Sequence, residues 1–407
     1  MRHTPNMAAG SAGILLHLTE RMLVAGETVR GEVELNHPTL EMNGVEKVFV
    51  KLSGSVDTNI VVTQNVPQSH ESRPLYHQKV VIWRKGQTVP SHSTRIPFSF
   101  KIPQDLPPSF QFDGLYMNGR VGHVLEVIGI RPKSTNHRIV MPLSIVSPDP
   151  IGAQHRQGME SGWTGQWVTA KKEAYIRKGI WGAHATVNME LRLPAVATFP
   201  LFTRIPFVVS IVTFTKEMKI EELPKASQDN LFPTPPHHAK DISFRLRRHI
   251  EVSANSRNLD EVIDYARLGG LGETTAPEGD QLQVLEKQWI PSSDARKGVW
   301  RQETLVRSSF TLQASPTFSC PSLKLKYVMS LKVSFPGVGN TVETTFPVEI
   351  GSGMTSRPEH RSRRRTTPIE PAPPYEDPDA SQDHRRITLD LPPSYWSVAE
   401  WDNDGRP

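Results

Sequence analysis

The stretch LKLKYVMSLKVSF, residues 323–335, decides the fold class. Leu323, Leu325, Tyr327, Met329, Leu331, Val333 and Phe335 fall on one side of an extended chain, and Lys324, Lys326, Ser330, Lys332 and Ser334 on the other. A helix would spread these two groups around its circumference, whereas a strand, with its period of two, sorts them onto one buried and one wet face. That is the signature of an antiparallel sheet. The pattern recurs upstream. In IPFSFKI, Ile96, Phe98, Phe100 and Ile102 oppose Ser99 and Lys101; in VNMELRL, Val187, Met189, Leu191 and Leu193 oppose Asn188, Glu190 and Arg192. In GETVRGEVEL, Val29, Val33 and Leu35 oppose Arg30, Glu32 and Glu34, and Gly31 is expected to mark a bulge or a close backbone approach.

The strands fall into two sets. One runs from about Ile14 to Ile145 after a short flexible N-terminus, residues 1–13. The other runs from about Trp167 to Ile350, with loops near residues 221–240 and 254–283. SPDPIGAQHRQGMESG, residues 147–162, reads as the linker between them. Helical signal is sparse. Its best instance is NLDEVIDYARL, where Leu259, Val262, Ile263 and Ala266 form a short apolar stripe that Asn258 or Asp260 could cap. A chain of 407 residues with 35 prolines and 27 glycines suits short strands and turns in more than one domain. The single cysteine, Cys320, excludes an internal disulfide and suits a reducing compartment. No apolar run approaches the roughly 18 residues of a membrane span. The opening ILLHL runs into Glu20 and Arg21, so a first strand is preferred to a signal peptide. A net charge of +5 is small for this length; it could help at an anionic membrane and does not argue for nucleic acid.

Residues 352–407 break the pattern. They are rich in Arg, Pro, Ser, Asp and Glu, and they contain no lysine. Such a segment buries too little apolar surface to offset its ordering entropy, and a disordered tail is expected. Within it, LPPSYW (391–396) echoes LPPSF (106–110). The upstream copy sits between strands, where Pro107 and Pro108 make a rigid turn and Phe110 is expected to enter the core. In the tail copy, Pro392 and Pro393 favour polyproline II and Tyr395 completes Pro-Pro-x-Tyr, the ligand pattern of WW domains. PAPPYED adds Pro373, Pro374 and Tyr375, a partial match with Ala372 at the first proline position. The two tyrosines lie 20 residues apart, a few nanometres in a flexible chain, which lets both engage a partner with several WW domains.

Two β-domains followed by such a tail resemble the α-arrestins, the arrestin-related trafficking adaptors. The resemblance is carried by VAGETVRGEVEL, by IPFSFKIPQDLPPSF with VGHVLEVIGIRP after it, and by LRLPAVATFPLFTRIPFVVSIVTFTKEM. It implies an all-β chain of two tandem arrestin-like β-sandwich domains, residues 14–148 and 167–351, joined by a linker, 149–166, and followed by the disordered tail, 352–407. It also implies a job: recruiting a HECT-type ubiquitin ligase through its WW domains to membrane transporters or receptors, which are then ubiquitinated and internalised. The protein would be cytoplasmic, recruited peripherally to plasma membrane and endosomes. Pro392, Pro393 and Tyr395 match the family's ligase-binding motif; Pro373 and Tyr375 match it in part. The tyrosine usual in the strand after the LPPSF corner is replaced within VGHVLEV, which bears on local packing. A ligase docked at Tyr395 must find its lysines elsewhere, such as Lys324 or Lys326 if exposed, or on cargo.

RSRRRTTP (361–368) reads as a solvated basic stretch, as one that touches anionic lipid head groups, or as a phosphosite. Arg363 three before Thr366, with Pro368 two after it, has the spacing read by 14-3-3 proteins once Thr366 is phosphorylated, and Thr367 precedes a proline. No catalytic constellation is legible: there is no Gly-x-Ser-x-Gly, no phosphate loop, no paired cysteines, and His237 and His238 have no Glu or Cys at metal spacing. Neither an enzyme nor a cofactor is expected. Two alternatives stay open. One is an arrestin-fold sorting scaffold that does not use a ubiquitin ligase. The other is a β-sandwich hydrolase or sugar-binding protein, hinted at by Trp163, Trp167 and Trp181.

Overall fold

The computed structural model describes residues 7–11, 13–18, 22–61, 68–87, 92–179, 182, 184–222, 231–272, 281–294 and 296–356. The chain is all-β, with its strands in several sheets. In the first half, Met7–Ser11, Ile14–Leu18, Thr28–Asn36 and Ser93–Lys101 lie side by side. Against them stands a sheet in the order Met22–Val24, His137–Val146, Met117–Ile130, Lys47–Ile60, Ser69–Arg84, with Phe110–Asp113 added to Met117–Ile130. The inward positions of both sheets, among them Leu16, Val33, Phe100, Val50, Leu125 and Leu143, share one buried cluster. That is the arrangement of a β-sandwich.

In the second half, Trp167–Arg177, His184–Pro194, Arg204–Phe214 and Lys297–Thr311 form one sheet, edged by short strands on Lys297–Thr311. Arg257–Arg267, Ile242–Ala254 and Leu323–Ser334 form the facing one; both Phe318–Cys320 and Thr341–Val348 pair with Leu323–Ser334. The seven apolar side chains that opened the sequence reading are all buried. Gly31 makes the close approach, without a bulge: a Cβ there would stand 2.6 Å from the Phe98 ring and 2.7 Å from the His17 carbonyl. Among the described residues no helix is long and apolar enough to cross a membrane.

Among the described residues, no sheet mixes strands from before residue 147 with strands from after residue 166. The two halves nevertheless share core. Val56, Ile60, Phe110, Phe112, Met117 and Val121 of the first half belong to the second half's apolar cluster. Polar bonds cross the same seam: Thr58 Oγ1 donates to the Ser253 carbonyl at 2.8 Å, and Asn255 Nδ2 to the His70 carbonyl at 2.9 Å.

Three expectations are corrected. NLDEVIDYARL is a strand, not a helix: Arg257–Arg267 pairs antiparallel with Ile242–Ala254 through a two-residue turn. Asn255 and Ser256 both have positive φ, the geometry whose twist matches a hairpin. Ladder bonds then outweigh a weak helical stripe, and they turn Leu259, Ile263 and Tyr265 toward the core while Val262 stays 58% exposed. Residues 149–166 are not a bare linker but contain the helix Pro150–Glu160. Asp149 caps it by accepting from the Gly152 N–H at 2.8 Å, and Pro150 sits in the first turn, where its missing N–H costs nothing. Nor is all of residues 1–13 loose, because Met7–Ser11 pairs with Ile14–Leu18.

Candidate functional site

The residues expected to carry function, Pro392, Pro393, Tyr395, Pro373, Pro374, Tyr375, Thr366 and Thr367, lie outside the described residues. The structure instead describes where the chain leads toward them, and what becomes of the upstream copy of the motif.

The upstream copy is consumed by the fold. Pro108, Ser109 and Phe110 are buried. Ser109 acts as a backbone surrogate: its N–H donates to the Ile145 carbonyl at 2.7 Å, its hydroxyl donates to the Leu143 carbonyl at 3.3 Å, and the same hydroxyl accepts from the Ile145 N–H at 2.9 Å. Phe110 crosses the seam, edge-on to Phe318 with ring centres 5.5 Å apart. A WW groove cannot take a proline, Pro108, and an aromatic ring, Phe110, that are already buried.

Beneath this corner, within VGHVLEV, lies His123. His123 is 2% exposed and its Nε2 lies 3.3 Å from the Pro107 carbonyl, so that nitrogen donates. Its Nδ1 then accepts from the Tyr76 hydroxyl at 3.3 Å, and the two rings stack with centres 5.8 Å apart. Burial lowers the His123 pKa to about 4, only partly offset by the bond to Pro107. Burial likewise pushes the Tyr76 hydroxyl well above its ordinary value. His123 is therefore a neutral packing residue at physiological pH.

The last described residues lie beside the helix Pro150–Glu160. Phe199–Pro200 pairs in parallel with Ile350–Gly351, and the next residues fold back on Asp149. The Asp149 N–H donates to the Met354 carbonyl at 2.7 Å, and the Gly353 N–H donates to the Asp149 carboxylate at 3.1 Å. The Ser352 hydroxyl donates to the Ser147 carbonyl at 2.7 Å. Gly351 has no room for a side chain, since a Cβ would stand 1.9 Å from Asp149 Oδ2. Arg156, on the same helix, donates to the Leu201 carbonyl at 2.7 Å and to Thr203 Oγ1 at 3.2 Å. Residues 352–354, expected in the tail, thus belong to a latch on the connection between the halves.

Lys324 and Lys326 are accessible, their side chains 44% and 54% exposed, and both donate to Glu251, at 2.9 and 2.7 Å. These two bonds, Lys326 first, hold the Glu251 carboxyl down at about 2. His237 and His238 are exposed, and no group of three His, Cys, Asp or Glu among the described residues could hold a metal. Cys320 is half-buried with its thiol donating to the Leu323 carbonyl at 3.1 Å, and burial raises its pKa, the opposite of an activated nucleophile. Trp163 donates to the Gln166 carbonyl at 3.1 Å and packs edge-on to His155, a structural placement; Trp181 lies outside the described residues.

Sequence reading missed Arg248. It lies between Leu246 and Ile250 on the core-facing side of Ile242–Ala254, and its guanidinium carbon is 5.1 Å from the Tyr265 ring and 5.4 Å from the Phe112 ring across the seam. Only the hairpin register reveals that pairing, because the three residues are far apart in sequence. A scan against protein-family models and a search of curated proteins each find no match to this chain.

Proposed function

We propose that this protein is an arrestin-type adaptor that brings a WW-domain HECT-type ubiquitin ligase to membrane transporters or receptors and promotes their ubiquitination and endocytosis. The observation that carries the reading is Pro392-Pro393-Ser394-Tyr395, preceded by the partial motif at Pro373, Pro374 and Tyr375, in a lysine-free segment that follows an all-β body. The burial of the LPPSF copy supports it by contrast, since that copy is packed into the seam and offers nothing to a WW groove. On this reading the ligase docks beyond residue 356, the sandwich faces meet cargo and membrane, and the protein works from the cytoplasm at the plasma membrane and endosomes. With no lysine after residue 351, ubiquitin transfer falls on the body, where Lys324 and Lys326 are exposed, or on the cargo. Phosphorylation of Thr366 would supply a 14-3-3 site in the same segment as both motifs, and Thr367 before Pro368 suits a proline-directed kinase.

The test is binding of the full chain to the WW domains of a HECT-type ligase, compared with Tyr395→Ala, Tyr375→Ala and the double variant. Tyr395→Ala is expected to remove most of the binding and the double variant the rest. If the wild type fails to bind, the ligase role is wrong and a sorting scaffold that works without ligase takes its place.

A further inference from the structure

We infer that the outer face of the sheet Ser69–Arg84/Lys47–Ile60/Met117–Ile130/His137–Val146, at the end away from the seam, is a docking surface for an anionic lipid bilayer. The inference deepens the membrane part of the reading above and does not depend on the ligase motif.

The register builds this face row by row. Arg84 stands opposite Lys47, and Lys47 opposite Ile130. In the next rows, Phe49 stands opposite Ile128 and Ile128 opposite Arg138; Lys79 stands opposite Lys51 and Lys51 opposite Glu126. Side chains of directly opposed residues share one face of a sheet. Five cations therefore project from three of the four adjacent strands, on a face about 15 Å across at the usual strand spacing. Glu126 is the one carboxylate among them. It is 5% exposed and already engaged by Lys51, at 2.8 Å, and by Arg138. Lys79 lies over the Phe49 ring at 3.7 Å, while Lys47 and Arg84 have no carboxylate partner among the described residues. Lys85 and Lys133 extend the charge beyond the strand ends, and Glu46 is the acid at this rim. Toward the seam the same face changes character, where Arg120 meets Asp57 and Asp113.

The layout favours a membrane over a peptide. The cations are spread over a broad open sheet with apolar Ile128 and Val140 between them. The open groove of about 760 Å³, lined by His17, Arg30, Glu32, Val80, Pro97 and Phe98, lies at the seam with the opposite sheet instead. A dispersed basic plane matches a diffuse anionic plane, whereas an acidic peptide is held best where charges converge on a groove or an unpaired strand edge. The small net charge of the whole chain, +5, hides this face because acids elsewhere cancel it.

The experiment is cosedimentation of the full chain with vesicles of phosphatidylcholine and phosphatidylserine in a three-to-one ratio, and with pure phosphatidylcholine. The test variant is Lys47→Gln/Lys79→Gln/Arg84→Gln, which spares Lys51 and Arg138 so that buried Glu126 keeps its partners. The control is Lys172→Gln/Lys178→Gln/Lys216→Gln in the second half, an equal loss of charge. Each cation at an anionic surface strengthens partitioning about fivefold, so the test variant is expected to lose on the order of a hundredfold and the control very little. Wild-type binding should fall with added salt and survive Tyr395→Ala, which separates this inference from the ligase reading. Equal loss in test and control, or no preference of the wild type for the anionic vesicles, overturns it. So does a triple variant that sediments normally but loses binding to hexaglutamate, which would make the face a site for an acidic peptide.

Discussion

Acidification singles out His123. Its folded-state pKa is about 4 against an ordinary 6.5, because burial under the LPPSF corner disfavours the imidazolium. A histidine depressed on folding contributes stability that is present above its unfolded pKa and is lost as pH falls through the window from 6.5 toward 4. The difference of 2.5 units corresponds to about 3 kcal/mol once the pH is below both values, and to about 2 kcal/mol between pH 7 and pH 5. His123→Phe keeps a ring for Tyr76 to stack on and removes the titration. It leaves the Pro107 carbonyl and the Tyr76 hydroxyl without their partner, so the variant should be less stable at pH 7 by about 1–3 kcal/mol. The informative quantity is the slope. Urea unfolding of both proteins across pH 4–7 should show the wild type losing about 2 kcal/mol more than the variant by pH 5. Parallel curves, or an NMR titration placing the His123 pKa near 6.5, would refute the burial argument.

Three further outcomes follow from the packing. Phe110→Ala should cost about 3–5 kcal/mol, read by denaturant unfolding, because the ring is buried and packs across the seam on Phe318. Asp149→Ala should cost about 1–2 kcal/mol as a lost helix cap and should make residues 352–356 a new site of limited proteolysis; unchanged cleavage there would remove the latch. Val262→Glu should leave stability within about 0.5 kcal/mol, whereas Ile263→Glu should cost several, since the strand exposes the first and turns the second toward the core. Similar costs for the two would contradict the hairpin register.

Sequence alone determined that this chain is made of strands, and which way their faces point. Alternation over 323–335 or 187–193 is a local property, because successive side chains of any extended chain leave on opposite sides and solvent sorts them. The same holds for the two sets of strands and for the role of LPPSF as a turn with a buried ring. Only tertiary structure decided NLDEVIDYARL, whose short stripe suits a helix until Ile242–Ala254 offers it a complete ladder. The capped helix after Asp149 was hidden by the glycines and polar residues that surround its start. The latch of residues 352–354 joins residues about 200 positions apart, and Arg248 meets Phe112 across 136 positions as well as Tyr265 on the next strand; no local pattern encodes such meetings. The basic face is the clearest case: Lys47, Lys79, Arg84 and Arg138 look like scattered surface charges along the chain, and strand register, set by burial of the opposite face, gathers them into one plane.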